Sequence, residues 1–403
     1  MECSSVFDVL VVGGGVAGSS VAAMLAELHL NVCLVEREPV FRDRVRGEGI
    51  HPWGMNEAAA LGLTDEIAGA GGLRLPEWRG YEAGRVNYAQ LWEESSIDGA
   101  VETSLFHPLF QDRLITRAGR MGVTIYRPSR VRSVDRDSSG FHALVNVDGR
   151  DIAVRFQFLI GADGQRSWTR SRFGVEVGRD RHHHWIVGLL IDGHRLDPYA
   201  THAGSLEGGR CFVFPEQNQR ARAYVVLRDD AIEPVRRDPS GQTTIELLRS
   251  VLDPATLVDA RPAGPHGIFS NADSWATAYG LAGLLLIGDV AGGNDPSQGH
   301  GLAATLRDVR ELRDAIACDG LSDATLARVQ ATIARYRETL RIVGRWNACL
   351  WMTIGAEADA RRETFLAARA DDPDSGGFAQ MFSRGPRDLI ADAEARRRYF
   401  GET

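Results

Sequence analysis

The chain of 403 residues contains no lysine, and all 46 of its basic residues are arginine. That excludes Schiff-base chemistry and any mechanism built on a catalytic lysine. Cysteine is scarce and dispersed. Cys3, Cys33, Cys211, Cys318 and Cys349 form no CxxC pair, so neither a zinc site nor a disulfide framework is indicated, and a reducing, cytoplasmic setting is expected. No apolar run approaches the roughly 20 residues that cross a bilayer. The first apolar segment lacks the basic flank of a secretory leader. Extended basic clusters are missing too. The net charge of −8 argues against a nucleic-acid binder. Arg396-Arg397-Arg398 lie among acids and read as a solvated helix face.

What remains is ordinary for a globular protein: 44% hydrophobic and 25% charged residues. The length suits two domains, or one large domain with an insertion. The informative stretch comes first. Phe7 and Val9–Val12 form an apolar run of the kind buried on both sheet faces. Gly13-Gly14-Gly15-Val16-Ala17-Gly18 follows, then apolar residues at helical spacing to Leu28, then Val32–Val35 and Glu36. Each glycine has a mechanical reason. Gly13 makes the turn, Gly15 lets a pyrophosphate approach the backbone, and Gly18 lets the helix pack on the sheet. The helix N-terminus offers free N–H groups and a positive dipole end to phosphate. Glu36, 18 residues past Gly18, stands where a ribose-binding acid is expected.

Arg42, Arg44 and Arg46 alternate, which places them on one face of an extended segment. At least one is expected to clamp phosphate, Arg46 foremost, because Gly47 and Gly49 permit close backbone approach. The alternative is surface arginine. Helices are expected over 53–61 and 109–121. Short aromatic-rich strands are expected within 79–105, and further strands at 124–126, 130–134, 141–147 and 151–156. Asp148-Gly149 marks a hairpin. A second strand-to-turn element runs Phe158 to Gly164, with Asp163, then Ser167 and Arg170 opening a helix.

From 174 to about 275 the character shifts to strands at 186–191, 210–214, 221–227 and 268–270, with a helix at 243–252. A third corner, Leu284–Ile287 then Gly288-Asp289, is followed by Asn294 to Leu302 and a helix from Ala303. Helices are expected at 324–352 and 387–398, joined by a polar loop around Asp371–Gly377.

These three corners together closely resemble the FAD-dependent class A flavoprotein monooxygenases of the para-hydroxybenzoate hydroxylase fold. The resemblance covers about 1–75, 106–172 and 276–320. It implies an α/β fold: a Rossmann-like FAD/NAD(P)-binding domain with an inserted antiparallel-sheet substrate domain and C-terminal helices. The expected division is 1–75 with 106–173 and 276–345 for FAD, 76–105 with 174–275 for substrate, and 346–403 as a helical end. By resemblance, Gly13, Gly15, Val16, Ala17 and Gly18 hold the pyrophosphate. Glu36 binds the ribose, with Arg37 beside the adenine and Val131 meeting it through the backbone. Arg46 lies by the pyrophosphate, Asp163 supports that region, and Asp289 bonds the ribityl chain. Gly299, Gly301 and Leu302 face the flavin ring at a helix start, with Pro296 beside the ring where oxygen reacts.

Three departures stand out. His107 replaces an arginine or glutamine, Gly292 follows Gly288-Asp289-Val290-Ala291 where a histidine is common, and His300 lies between two glycines. Flavin halogenases share the fold, but they need a lysine and a Trp-x-Trp-x-Ile-Pro signature that this chain lacks.

The implied activity is oxygenation of a small aromatic or polycyclic substrate with NAD(P)H as transient co-substrate and O2, through a flavin C4a-hydroperoxide. The alternatives are a flavin dehydrogenase, reductase or oxidase of the same fold, or a non-redox cyclase. No metal, nucleic acid or membrane partner is expected; the protein is expected to be a monomer or homodimer.

Candidate bases are His51 and Glu48, with a hydrogen-bonded structural role as the alternative for His51. His300 is a weaker candidate whose side chain is expected toward solvent. Arg210, Phe212 and Phe214 share one strand face and Tyr224 and Val226 the next, forming an aromatic pocket or simply a core. His182-His183-His184 reads as an exposed stretch, because adjacent strand residues cannot converge on one ion and no further ligand stands at metal spacing. Trp346, Leu350, Trp351 and Ile354 make a helical apolar stripe, core before interface.

Overall fold

The computed structural model describes residues 5–206, 208–353, 356–371 and 378–400. Its centre is a parallel sheet. Strand Ser5–Val12 pairs in parallel with Val32–Val35 on one side and Arg150–Gly161 on the other. Leu284–Leu286 and Thr124–Tyr126 extend the sheet outward. The apolar run of the first strand is explained by two cores. Val9 and Val11 pack with helix Val16–Glu27 and the helix Gly301–Asp319. Leu10 and Val12 pack on the opposite face with Val134, Phe141 and Phe156. Burial on both faces needs apolar residues at consecutive positions.

The hairpin at Asp148-Gly149 forms as its sequence demands, with φ of 48° and 83°. It joins Gly140–Val147 to Arg150–Gly161. Residues 151–156 and 158–160 are therefore one strand of 12 residues rather than two. It alternates exposed and buried positions from Ala153 to Gln157, and its end, Leu159 to Gly161, is covered on both sides.

A seven-stranded sheet lies against this body in the order Arg261–Ser270, Trp185–Asp192, Arg220–Leu227, Gly209–Glu216, Ala200–Leu206, Glu77–Glu82 and Arg85–Leu91. The strand Ala200–Leu206 carries no sequence signature, since Thr-His-Ala-Gly-Ser is small and polar. It pairs in parallel with Glu77–Glu82, so the sheet is mixed rather than antiparallel. The last strand of the 79–105 region, Glu102–Ser104, leaves this sheet and pairs with Gly49–Ile50 and Leu73–Leu75. One face of the large sheet packs on helix Gln242–Arg249 through Leu189, Val213, Val225 and Ile245. The other carries Ile186, Phe212, Phe214, Tyr224 and Val226.

The chain ends in helices Asp323–Trp351, Ala356–Asp371, Phe378–Ser383 and Ala393–Phe400. The expected helix at 387–398 begins only at Ala393, after the short turn Gly385–Arg387. Asp371 closes a helix, and 372–377 lie outside the described residues. Leu350 of the apolar stripe is buried with Phe365, Tyr399 and Phe400; Ile354 lies outside the described residues. Among the described residues no helix is long and apolar enough to cross a membrane.

Gly18 has no room for a side chain: a Cβ there would stand 1.7 Å from the Gly13 carbonyl oxygen. That neighbour is backbone in the turn itself, so it cannot move aside. Gly18→Ala is expected to lower the unfolding free energy by at least about 2 kcal/mol, read as a drop in denaturation midpoint. An unchanged midpoint would show that the helix does not rest on the turn.

Candidate active site

Parallel register brings the three corners together. Val12 stands opposite Val35 and Gly161, and Gly161 opposite Leu286. Glu36, Gly13, Ala162-Asp163 and Gly288-Asp289 therefore follow at neighbouring strand ends. They open into one cavity of about 840 Å³ that runs on beneath the seven-stranded sheet. Gly13, Gly15, Val16, Ala17, Glu36, Arg37, Arg46, His107, Val131, Asp163, Asp289, Pro296, Gly299, Gly301 and Leu302 all border it. Gly18 does not; it serves the packing just described.

The turn is shaped to receive a ligand. Gly13 has φ +101°. A Cβ on Gly15 would meet only the Gln111 amide nitrogen at 3.5 Å, and one on Gly301 would meet nothing within 4 Å. Helices Val16–Glu27 and Gly301–Asp319 both start at the cavity, so the N–H groups of two first turns face it without intrahelical acceptors. Glu36 is buried, and its carboxylate accepts the Gly14 and Glu38 N–H groups, each at 2.6 Å. It thus fastens the turn while bordering the cavity. Asp163 caps the helix Trp168–Arg172, accepting from Ser167 Oγ and the Thr169 N–H. Asp289 takes no hydrogen bond from the described residues. Gly288 is held from behind: its N–H donates to Asp308, which is buried against Arg337 at 2.6 Å and also accepts from the Tyr336 hydroxyl.

Residues 41–50 strap the cavity from the side. They are not extended throughout, because Val45 sits at φ +57° and breaks the alternation expected of Arg42, Arg44 and Arg46. All three arginines nevertheless border the cavity. Arg44 pairs with Glu38 at 3.0 Å, while Arg46 is exposed and makes no ion pair among the described residues. The Val45 side chain fills a slot left by Gly188 and Gly267; a Cβ on Gly188 would lie 2.1 Å from it. On either side of Val45, Asp43 and Glu48 bind the fully buried Arg222 at 2.8 and 3.2 Å.

The sheet supplies the aromatic wall. Arg210, Phe212 and Phe214 stand directly opposite Val226, Tyr224 and Arg222. Trp78, Trp92, Phe269, Trp351 and Met352 complete that half of the cavity.

As placed, the candidate bases are occupied. Glu48 accepts from the Tyr224 hydroxyl and faces Arg222, both oxygens engaged. Burial, with the Glu48 carboxylate adding to it, pushes the Tyr224 phenol well above its ordinary range, so it stays protonated. His51 Nε2 lies 2.9 Å from the Gln298 carbonyl, to which it must donate. Its Nδ1 lies 2.8 Å from Glu102 Oε1, though off the angle of a good hydrogen bond. Glu102 also accepts from Thr201 Oγ1. His51 therefore ties the Pro296–Gly299 turn to the strand Glu102–Ser104. Gly299 is needed for this approach, since its Cβ would lie 2.6 Å from His51 Nε2. His107 donates through Nδ1 to the Gly47 carbonyl at 3.0 Å, leaving Nε2 without a partner among the described residues. His300 is buried rather than turned to solvent, packed on His51 and Phe382, and burial drives its pKa well below the ordinary value.

The histidine triplet is only partly exposed. His184 is fully buried, and tertiary structure adds Asp295, 111 positions away, which local spacing cannot reveal. Asn271 Oδ1 accepts both the His183 and His184 N–H groups, so its Nδ2 donates to His183 Nε2 at 2.7 Å. His183 Nδ1 then donates to His184 Nδ1 at 2.7 Å, and His184 Nε2 to Asp295. The ligand atoms of His183, His184 and Asp295 lie within 4.8 Å of one another. In this arrangement His184 turns opposite ring nitrogens to its two neighbours.

Glu102, Gln298, Gln111, Asp43 and Arg222 have no motif to announce them. Arg222 alone left a signal, as a charge placed, with Arg220 at the strand's start, on the Tyr224 and Val226 face.

The match to known proteins agrees with this geometry. A family model described as "FAD binding domain" covers residues 6–326. The chain belongs to that family. It is an FAD-dependent oxidoreductase with the fold of the class A flavin monooxygenases. It is 28% identical to the ubiquinone hydroxylase UbiL of Rhodospirillum rubrum over 78% of this chain and 73% of that one. It is 26% identical to a menaquinone reductase of Mycolicibacterium smegmatis over 79% and 78%. The crystal structure of aklavinone-11 hydroxylase with FAD and aklavinone superposes with a TM-score of 0.72 at 22% identity, covering 87% of this chain and 70% of that chain.

Asp273 gives a test of the loop's polar support. Its carboxylate accepts the Asp295 N–H, and burial with the Asp295 charge raises its pKa to about 7. The unfolded value is about 3.9. Between these, the folded state binds more protons, so this group's contribution is present at low pH and lost as pH rises to 7. Asp273→Asn should therefore gain stability relative to the parent between pH 5 and 8, by about 2 kcal/mol, in urea unfolding at several pH values. A difference independent of pH would contradict this assignment.

Proposed function

We propose that the protein is a monooxygenase that uses NAD(P)H and O2 to oxygenate a small aromatic or polycyclic molecule. One observation carries this reading: the glycine turns and the aromatic wall share a single cavity. The cradle fits FAD, since Gly15 and Gly301 open onto it without obstruction and two helix starts face it.

In this reading the backbone of Gly13, Gly15, Val16 and Ala17 holds the pyrophosphate, with Arg46 as the cation beside it. Glu36 and Arg37 take the ribose and adenine, with Val131 along the adenine edge. Asp289 bonds the ribityl chain, while Asp163 keeps the Thr169 helix start in place near the phosphates. The N–H groups of Gly301 and Leu302, reached past the Gly299 turn, stabilise negative charge on the ring system through the helix dipole. His107, fixed by Gly47, presents Nε2 to the same end. When bound, FAD supplies hydride acceptance from NAD(P)H and the activation of O2. Phe212, Phe214, Tyr224 and Arg210 line the substrate's side, exclude water and orient the ring to be oxygenated. Pro296, on the turn that His51 and Glu102 secure, closes the space between substrate and ring. Tyr224, donating to Glu48, positions rather than deprotonates.

The reductase reading is favoured by one feature: His51 is held between the Gln298 carbonyl and Glu102, and Glu48 between Tyr224 and Arg222, so both candidate bases already face protein groups. The likeness to a menaquinone reductase points the same way. Isotope labelling separates the two. The enzyme, NAD(P)H and a panel of polycyclic phenols and quinones are expected to give a product carrying one atom from ¹⁸O2, with flavin reduction accelerated by the true substrate. Reduction without incorporated label would establish the reductase instead, and conversion with the flavin never reduced would overturn both.

A further inference from the structure

The aromatic wall of the cavity carries a cation that nothing in the described structure neutralises. Arg210 lies on the cavity face of strand Gly209–Glu216. Its guanidinium sits 4.9 Å over the Trp351 ring and 5.4 Å over Phe212. By area the side chain is half-buried, yet its Nε is enclosed and bonded to nothing. No ion pair or hydrogen bond to it exists among the described residues. Of the acids that border the cavity, Glu48 is committed to Arg222 and Tyr224, Glu102 to His51 and Thr201, and Glu36 to two backbone N–H groups, and none is paired with Arg210. Burial pulls the Arg210 pKa down to about 10, and no carboxylate acts to raise it. It remains charged at neutral pH.

An enclosed guanidinium without an acceptor is costly. Its two flanking rings hold the plane in place but supply no lone pair along the N–H directions. A ligand in the cavity can supply that acceptor, and a planar fork best matches an oxyanion.

We propose that Arg210 anchors an anionic oxygen, a carboxylate or an acidic phenolate or enolate, on a planar aromatic substrate. The anchor selects the acid over its neutral analogue and fixes which ring edge faces the cofactor end of the cavity. This rests on the reading that the aromatic half takes the substrate.

Two probes of one shape test it: anthraquinone-2-carboxylate and anthraquinone-2-carboxamide. Both are titrated into the FAD-loaded enzyme at pH 7.5, with tryptophan fluorescence and the flavin absorbance band recorded. The carboxylate should bind at least about tenfold more tightly, the factor that one charge-assisted contact supplies. Arg210→Met should abolish that preference while retaining FAD, and Arg210→Lys should keep part of it. Equal affinity of the two probes, absence of binding, or a preference that survives Arg210→Met would overturn the proposal. If Arg210→Met does not fold, the probe pair on the parent enzyme still decides. A protein that takes up no FAD would defeat the proposed function, whereas the probe preference, read by tryptophan fluorescence, would still report on Arg210.

Discussion

The structure depends on the register of four parallel strands. Because Val12, Val35, Gly161 and Leu286 are aligned across the sheet, the chain leaves the sheet at one edge each time it reaches an acid. A slip of one residue would turn every side chain of a strand to the opposite core. Two different apolar cores press on the two faces, so such a slip is strongly opposed. The convergence of the three corners follows from hydrophobic burial, with no attraction required among the corners themselves.

A second constraint joins the sheet roof to that edge. The strap at residues 41–50 is held by shape and by charge at once. Val45 enters the slot at Gly188 and Gly267, and Arg222 binds acids on both sides of it. A buried ion pair is a weak source of net stability, but removing one partner is expensive, of order 3–5 kcal/mol. That asymmetry suits a part that must sit in one place. The same logic applies at the other rim, where His51 links the Gln298 carbonyl to Glu102. Residues that look like acid–base groups by type thus serve to define the shape of the cavity. On the aromatic wall Arg210 is left unmatched and is accordingly a group with chemistry to spare.

Much of this was legible in the chain. The glycine turn, the Asp148-Gly149 hairpin and the helix start at Ser167 each act through neighbours a few residues away, so local sequence states them, and Glu36 follows at the spacing of the strand–turn–helix–strand unit. The alternation of Arg210, Phe212 and Phe214 named the cavity wall, because period 2 fixes a strand face whatever the partner. The strand Ala200–Leu206 was not legible. Its small polar residues acquire strand geometry only by pairing with Gly209–Glu216 and Glu77–Glu82. Nor was the left-handed Val45, a conformation that a β-branched residue adopts only when its surroundings impose it.

The sequence by itself determined the family, the cofactor cradle and the two-sheet plan, since repeating apolar periods and glycine positions encode backbone geometry directly. Only the tertiary structure decided which polar side chains are free. Glu102 reaches His51, Asp295 reaches His184, and Arg222 reaches Glu48 across separations of 51, 111 and 174 positions. Charge pairing depends on distance in space, and no local pattern carries that distance.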